Sequence, residues 1–538
     1  MSWPLRWLLL AILTGYGLWI VPGSTYLLSD TQIYVPMLDR ISDPTLFTRE
    51  LVAQRQHLSL TIYDETALAA KWMSGLDYES ILETMQALSR LLGLYGLLLM
   101  ATALGLSEVP ALLIPAVVGL GTAIHGPAVL TVELEPVPRG IAVMLSLLAL
   151  GLAMHGRNRS AGLAGGVAFL FHAPAVMPFL VAFAMFQLWQ RDLRPLLWIL
   201  AAVVVSVAFA VLQPGVVEKQ QFFSQIDPDW EKLQRMRASY NWLGMWKPWF
   251  FWNFATNGLV AGLALARIWE HLGVRARFYA LALPLIGLLS LPLGWLLMEH
   301  YKWALMAQVQ PARSVLFTVV MALTLSIAAA LFALRDSKWI EAALWLVPAM
   351  FTVLHGYLWE SFAFPLKDLQ MTGVAICAAI LAGWFANRKL NRKLWASGLI
   401  VAVAVLTGWL RQDVLKRSNY TPVENADLSA AARWTRQNTP KDAMFLLPEL
   451  ARSGESGILR VRAQRALFVD WKIGGQVNYS RELSFEWWRR MLLVDDKKRT
   501  FESWRTEGVD YIVLKAPTPF ASGSEVFRNA RYAIYKIR

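Results

Sequence analysis

Asp30, in Ser29-Asp30-Thr31-Gln32-Ile33-Tyr34, follows almost directly on the first apolar run of the chain. A carboxylate held partly desolvated at a membrane surface can act as a general base toward a hydroxyl or an amine. A carboxylate merely solvated by headgroups beyond a helix end has the same sequence pattern. A second cluster, Glu133-Leu134-Glu135-Pro136-Val137-Pro138-Arg139, sets two acids beside an arginine at a helix start. That pattern binds a metal, closes a local salt bridge, or holds an anionic ligand. Glu135 is the stronger functional candidate there, with Arg139 as its structural or phosphate-facing partner. His172 lies in Phe171-His172-Ala173-Pro174, where a proline interrupts an apolar helix. Ionisable groups at membrane depth cost about 2.5–3.5 kcal/mol on insertion scales, so they face cavities or protein, and polar tips of broken helices line sites. The alternative is a neutral histidine capping its helix. Arg313, in Gln308-Val309-Gln310-Pro311-Ala312-Arg313, suits a phosphate or pyrophosphate at a helix start, or else snorkels to headgroups. Tyr301 and Lys302 are weaker candidates of the same kind, and Lys247, among tryptophans, reads as an interface anchor.

The elements that must position these groups follow from composition. Of 538 residues 56% are hydrophobic and 17% charged, too apolar for a soluble enzyme and too rich in core formers for disorder. Apolar runs occur at 8–21, 86–106, 110–128, 139–155, 161–172, 174–190, 195–213, 253–271, 278–298, 313–334, 339–357, 369–386 and 394–411. They predict about 13 transmembrane or half-membrane helices, the two short ones around His172 being half-helices. The net charge of +13 is first read as cytoplasmic-loop bias and headgroup contact, with nucleic acid a poor second. With Arg6 and the N-terminus inside, basic turns at 155–159, 191–194, 267–277, 335–338 and 388–393 all fall on the inner side. The loops 24–83, 214–252, 299–312 and 358–368 then share the outer face, with Trp246, Trp249 and Trp252 at the interface.

The boundary at 411 separates a transmembrane domain, 1–411, from a more polar outer segment, 412–538. The pattern of 412–538 is that of a small α/β domain: helices at 427–438 and 485–493, strands at 443–447, 466–471, 509–514 and 532–537. The lone Cys377 removes disulfides from consideration. No phosphate-binding Gly-x-x-x-x-Gly-Lys loop, His-Glu-x-x-His, Cys-x-x-Cys or Gly-x-Ser-x-Gly is present, so ATP-driven transport, zinc hydrolysis and serine hydrolysis lack their usual signatures.

Asp30 after the first helix, the Glu133/Glu135 loop, His172 before its Ala-Pro, and Arg313 in Gln-Pro-Ala-Arg together resemble the GT-C superfamily of polytopic membrane glycosyltransferases. So does the C-terminal stretch: Ala432-Arg-Trp434, Asn438-Thr-Pro-Lys-Asp442, Arg465-Ala-Leu-Phe-Val-Asp470-Trp-Lys472 and Gly508-Val-Asp-Tyr-Ile-Val513. The likeness is to bacterial members with a periplasmic C-terminal domain. It implies a sugar moved from a polyprenyl-phosphate donor to a glycan, lipid or protein acceptor at the outer face of the bacterial inner membrane. It further implies Asp30 and Glu135 as catalytic acids, and Arg139, His172 and Arg313 at the lipid phosphate. The C-terminal domain would cover the site without supplying catalytic groups. The first loop has no Asp-x-Asp pair around Asp30, and Asp39 is nine residues on; a divalent metal, Mg or Mn, on Glu135 is the one cofactor in view. A transporter or flippase and a non-catalytic envelope assembly protein are the competing classes. The first predicts pseudo-symmetric halves with midplane charges, and the second predicts scattered candidate side chains.

Overall fold

The computed structural model describes all residues except 21–25, 55–60, 213–223, 357, 359–364, 389–392, 418–423, 497, 499, 517–523 and 538. His57, Lys389, Arg392 and parts of three expected outer loops therefore lie outside the described residues.

Every apolar run carries helix. Helices Trp3–Ile20, Tyr78–Ala103, Pro138–Met154, Leu196–Leu212, Pro248–Ile268, Val274–Trp295, Val315–Arg335, Trp339–His355, Leu366–Asn387 and Lys393–Arg417 form the bundle, together with the broken helix Asn158–Gln190. Among the described residues six helices are long and apolar enough to cross a membrane, and four shorter apolar helices accompany them. The chain is a multi-pass membrane protein. Val315–Arg335 is its axis, with every side chain from Val315 to Leu334 buried, as a helix that is apolar all round must be. Close approach depends on small residues: a Cβ on Gly96 would meet the Leu147 backbone at 2.5 Å, so Tyr78–Ala103 and Pro138–Met154 pack nearly backbone to backbone.

Asn158–Gln190 is two helices folded back on each other. His172 has extended dihedrals (φ −161°, ψ 90°), Asn158 Nδ2 donates to Gln187 Oε1 at 3.3 Å, and Gly165 lies against Phe179. A continuous helix would hold residues 158 and 187 more than about 40 Å apart. The expected pair of half-helices is thus a hairpin with His172 at its tip. Pro174 sits in the first turn of the returning half, where its missing N–H is no loss.

The run 110–128 departs from expectation. Helix occupies only Glu108–Ala111 and Leu113–Val118, followed by a two-stranded hairpin pairing Ala123 with Leu130 and Ile124 with Val129. Pro110, Pro115, Gly119 and Gly121 interrupt the helical ladder. The freed carbonyls are satisfied inside the protein, where Arg411 Nη1 donates to Leu120 O and, at 2.6 Å, to Gly121 O. Trp246, expected at the interface, is buried against Gly126 (φ +90°), where no Cβ would fit; Trp252 is exposed as expected.

The last bundle helix runs past 411 to Arg417. Beyond it a five-stranded sheet has the order Ala466–Leu467, Met444–Leu446, Tyr511–Lys515, Tyr532–Lys536, Ser524–Arg528. Its first three strands are parallel and its last two pairings antiparallel. Helices Ala426–Asn438 and Arg481–Asp495 match expected elements, whereas Gly454–Ala463 and the strand Ser524–Arg528 were not anticipated.

The polar stretch after the first helix is not a passive loop. Its helix Thr31–Ser42 joins the two halves of the molecule: Val35 and Leu38 enter the core of the bundle, while Ile33 and Met37 enter the core built on Met444, Phe468 and Trp487. Spacings of three and four residues give the helix two apolar faces. Burying each such side chain contributes about 1.5–3 kcal/mol, so the placement of this helix is coupled to both cores.

Candidate functional site

The site forms where Thr31–Ser42 begins. A helix start leaves its first amides without intrahelical acceptors, and a carboxylate there also complements the helix dipole. Glu135 fills that role. Its Oε1 accepts from the Ser29 amide at 2.5 Å and the Thr31 hydroxyl at 2.9 Å, and its Oε2 accepts from the Asp30 amide at 2.6 Å. Burial first, and the Asp30 charge second, push the Glu135 carboxyl up to about 7, against the opposing pull of Lys472 and the two amides.

Asp30 is left pointing at cations. Its Oδ1 lies 2.5 Å from Lys472 Nζ and its Oδ2 3.5 Å from Arg139 Nη2. Lys472 also donates to Ser29 Oγ. Arg139, in the first turn of Pro138–Met154, is fixed from behind by Glu133 Oε1, 2.6 Å from its Nε. Burial alone would raise the Asp30 carboxyl, but Lys472, and after it Arg139, outweigh burial and hold it well below the usual carboxylate range. Asp30 is therefore charged at neutral pH.

His172 and Arg313 approach the same charges from the bundle. His172 Nδ1 accepts from the Ala175 amide at 3.2 Å, so the histidine caps the returning half of its hairpin. Arg313 sits on the short turn Pro311–Ser314 ahead of the axial helix. Its guanidinium lies 5.0 Å from the ring centre of Tyr240, its Nε is buried without a partner, and among the described residues its side chain forms no ion pair or hydrogen bond. Arg139 and Arg313 both act on His172, and Arg313 acts on Asp30. The structure thus brings Asp30, Glu135, Arg139, His172 and Arg313 into one electrostatic neighbourhood. Tyr301 meets the His300 ring edge-on and Lys302 pairs with Glu231 at 2.7 Å, so both are engaged elsewhere; Lys247 is exposed.

Four further residues belong to the neighbourhood: Tyr34, Tyr240, Tyr479 and, in contact with Asp30 itself, Lys472. The first three are aromatic residues among many. Lys472 stands in the Asp470-Trp471-Lys472 stretch, but it is 443 residues from Ser29 along the chain, and no local pattern relates them. The C-terminal domain supplies a charged group to the site as well as covering it.

Fold and site together define a polytopic helical membrane protein in which the helix Thr31–Ser42 and the C-terminal α/β domain flank an acid–base cluster. A profile for a domain of unknown function, DUF6798, matches residues 426–494. No curated protein matches the sequence. Among solved structures the chain is similar to ArnT from Cupriavidus metallidurans in its apo state, at 13% identity and a TM-score of 0.46, over 100% of this chain and 99% of that one. It is similar to the same protein bound to undecaprenyl phosphate, at 14% identity and 0.45, over 100% and 98%. A third similar structure is the arabinofuranosyltransferase AftD from Mycobacteria, at 13% identity and 0.47, over 100% of this chain and 40% of that one. These neighbours are GT-C glycosyltransferases, and the likeness is one of fold.

Proposed function

We propose that the protein is a GT-C-type glycosyltransferase that moves a sugar from a polyprenyl-phosphate donor to an acceptor at the outer face of a bacterial inner membrane. The observation that carries this reading is the grouping of one ionised carboxylate, Asp30, with Lys472, Arg139 and the unpaired Arg313 where the apolar bundle meets the polar domain. A lipid tail can lie along the bundle while its phosphate reaches the cations.

In this mechanism the acceptor hydroxyl or amine attacks the anomeric carbon of the sugar. The new bond to carbon forms as the bond between that carbon and the phosphate oxygen breaks, and the oxygen departs with the electron pair. Asp30 takes the acceptor's proton. Arg313, Arg139 and Lys472 offset the charge gathering on the departing phosphate. With Nδ1 of His172 accepting from Ala175, its proton resides on Nε2, where it can donate to a phosphate oxygen. Glu135 acts by positioning, since three donors of the Asp30 turn converge on its carboxylate. The donor set does not fit a divalent cation: Asp30 faces Lys472 and Arg139, Glu135 faces amides and a hydroxyl, and among the described residues no three His, Cys, Asp or Glu converge.

The orientation follows the charges. The N-terminal ammonium pairs with Glu108 at 2.9 Å, Thr102 Oγ1 bonds His155 Nε2 at 2.9 Å, and Arg267 pairs with Asp336 at 3.0 Å, which gathers the basic turns at one end of the bundle. The Asp30 cluster and the C-terminal domain occupy the other. Positive-inside bias favours the first end in the cytoplasm and the second in the periplasm. In membranes supplied with labelled polyprenyl-phosphate sugar, Asp30→Asn should lower transfer by roughly 10²–10⁴-fold; unchanged turnover removes Asp30 and this reading with it.

A further inference from the structure

Lys472 and Asp30 form a pair that a ligand can open. The lysine is 24% and the aspartate 32% exposed, so the contact lies at a mouth and not in a sealed core. The lysine backbone is fixed: Ile473 N donates to Asp470 Oδ1 at 2.7 Å, and Gly474 is wedged against Trp487. Any change of partner is thus made by the side chain, a flexible stem carrying a point charge with three rotatable donors. The other cations behave differently. Arg139 is held by Glu133 whether or not Asp30 is present, and Arg313 has no anion to release. Lys472 alone among the three is bound mainly to the group that the reaction needs free.

We propose that Lys472 exchanges partners on donor binding: it holds Asp30 in the ligand-free protein, and the phosphate of the lipid donor takes it from Asp30. The inference rests on the glycosyltransferase reading above. The donor's phosphodiester carries one negative charge, as the carboxylate does, and Arg313 and Arg139 add to its side of the balance; the monophosphate left after transfer, like the probe below, carries up to two. The exchange has two consequences. The phosphate gains a cation positioned beside the bond that breaks, and the Asp30 carboxylate loses its shortest contact, which exposes it to the acceptor's proton. Donor binding would thereby create the base, so that an acceptor arriving first meets a carboxylate already occupied.

The test is a binding cycle on the full-length protein in lipid nanodiscs, with decaprenyl monophosphate as the probe. Lys472→Met should weaken binding by about tenfold or more, and Asp30→Asn, which releases the lysine, should tighten it. In the Lys472→Met background Asp30→Asn should then have little effect, within about twofold. Lys472→Gln, which keeps a donor for Ser29 Oγ, should show the same loss as Lys472→Met and stands in for it if that variant misfolds. Equal binding by wild type and both Lys472 variants overturns the exchange. So does a tightening by Asp30→Asn of the same size in both backgrounds, which would be general charge repulsion. In either case the glycosyltransferase reading stands, because the wild type binds the probe. No binding by the wild type removes the donor class, and the exchange with it.

Discussion

Arg460 Nη1 stands 2.8 Å from Glu50 Oε1, with both side chains only 1% exposed, and Asp470 Oδ2 lies 3.7 Å away. The other arm of the same guanidinium donates to the carbonyl of Gln32 at 2.5 Å. One buried cation therefore joins the C-terminal domain to the segment after the first helix, within the first turn of the helix that Asp30 precedes. Asp470 in turn anchors the Ile473 amide next to Lys472. The two residues that meet at the site are each one or two positions from this buried network.

Removing the cation should be costly. Arg460→Met leaves Glu50 and Asp470 buried and uncompensated, a loss of about 3–5 kcal/mol. A lower thermal midpoint and faster proteolytic release of the C-terminal domain are expected. A midpoint equal to wild type would mean that the pair does not hold the domain in place.

Gly457 lies against the Gln32 side chain with no room for a Cβ, although it sits inside the helix Gly454–Ala463. Helix propensity alone would make Gly457→Ala stabilising by about 1 kcal/mol. The crowding predicts the opposite sign, a lower midpoint with reduced transfer. Gly475→Ala is the control, since its Cβ would meet Arg237 at 3.7 Å and Ile33 at 4.0 Å, ordinary contacts. A stabilised Gly457→Ala protein would contradict the packing of this helix against the Asp30 helix.

Asp64, in the first turn of Tyr63–Ser74, is 4% exposed and its Oδ1 has no partner among the described residues. Burial, then the neighbouring Glu65 charge, push its carboxyl up from 3.8 to about 7. Between those values the folded protein binds more protons than the unfolded chain, so stability falls as pH rises through this window, by about 1.4 kcal/mol for each unit of pH. Asp64→Asn removes the penalty. Its advantage in thermal midpoint over wild type should widen from pH 5 to pH 8, and a constant gap would refute the assignment.

Lys472 and Arg139 keep Asp30 ionised against burial. Without Lys472 the carboxyl rises, and the base form is lost at a higher pH as acid is added. The acid limb of the kcat/KM–pH profile, which reports the donor-free enzyme, should therefore move to higher pH in Lys472→Met, whatever its effect on overall rate. An unmoved limb would mean that Lys472 does not set the charge of Asp30 in the donor-free enzyme.

Much of this architecture is legible in the chain because lipid imposes a strict local rule: a spanning segment must be apolar and must satisfy its own backbone. That rule located the bundle helices and drew attention to Asp30, Glu135, Arg139, His172 and Arg313 as ionisable groups at or within their ends. Pro174 announced the break at His172. The same rule misread 110–128, because backbone enclosed by protein can leave the helix and find a donor in Arg411 and an acceptor in the Thr131 hydroxyl. It also gave no sign of Gly454–Ala463, whose two glycines lower helix propensity and are offset by burial of Ile458, Leu459 and Arg460.

The candidate groups Asp30, Glu135, Arg139, His172 and Arg313 were thus marked by sequence, through their place beside or within apolar runs. Their partners were settled by tertiary structure. Glu135 becomes a support because a helix start presents three donors to it, and Lys472 becomes part of the site because Ile33 and Met37 seat one helix in the core of a domain that begins nearly four hundred residues later. Contacts over that separation depend on how two cores share a helix, and no local spacing encodes such sharing.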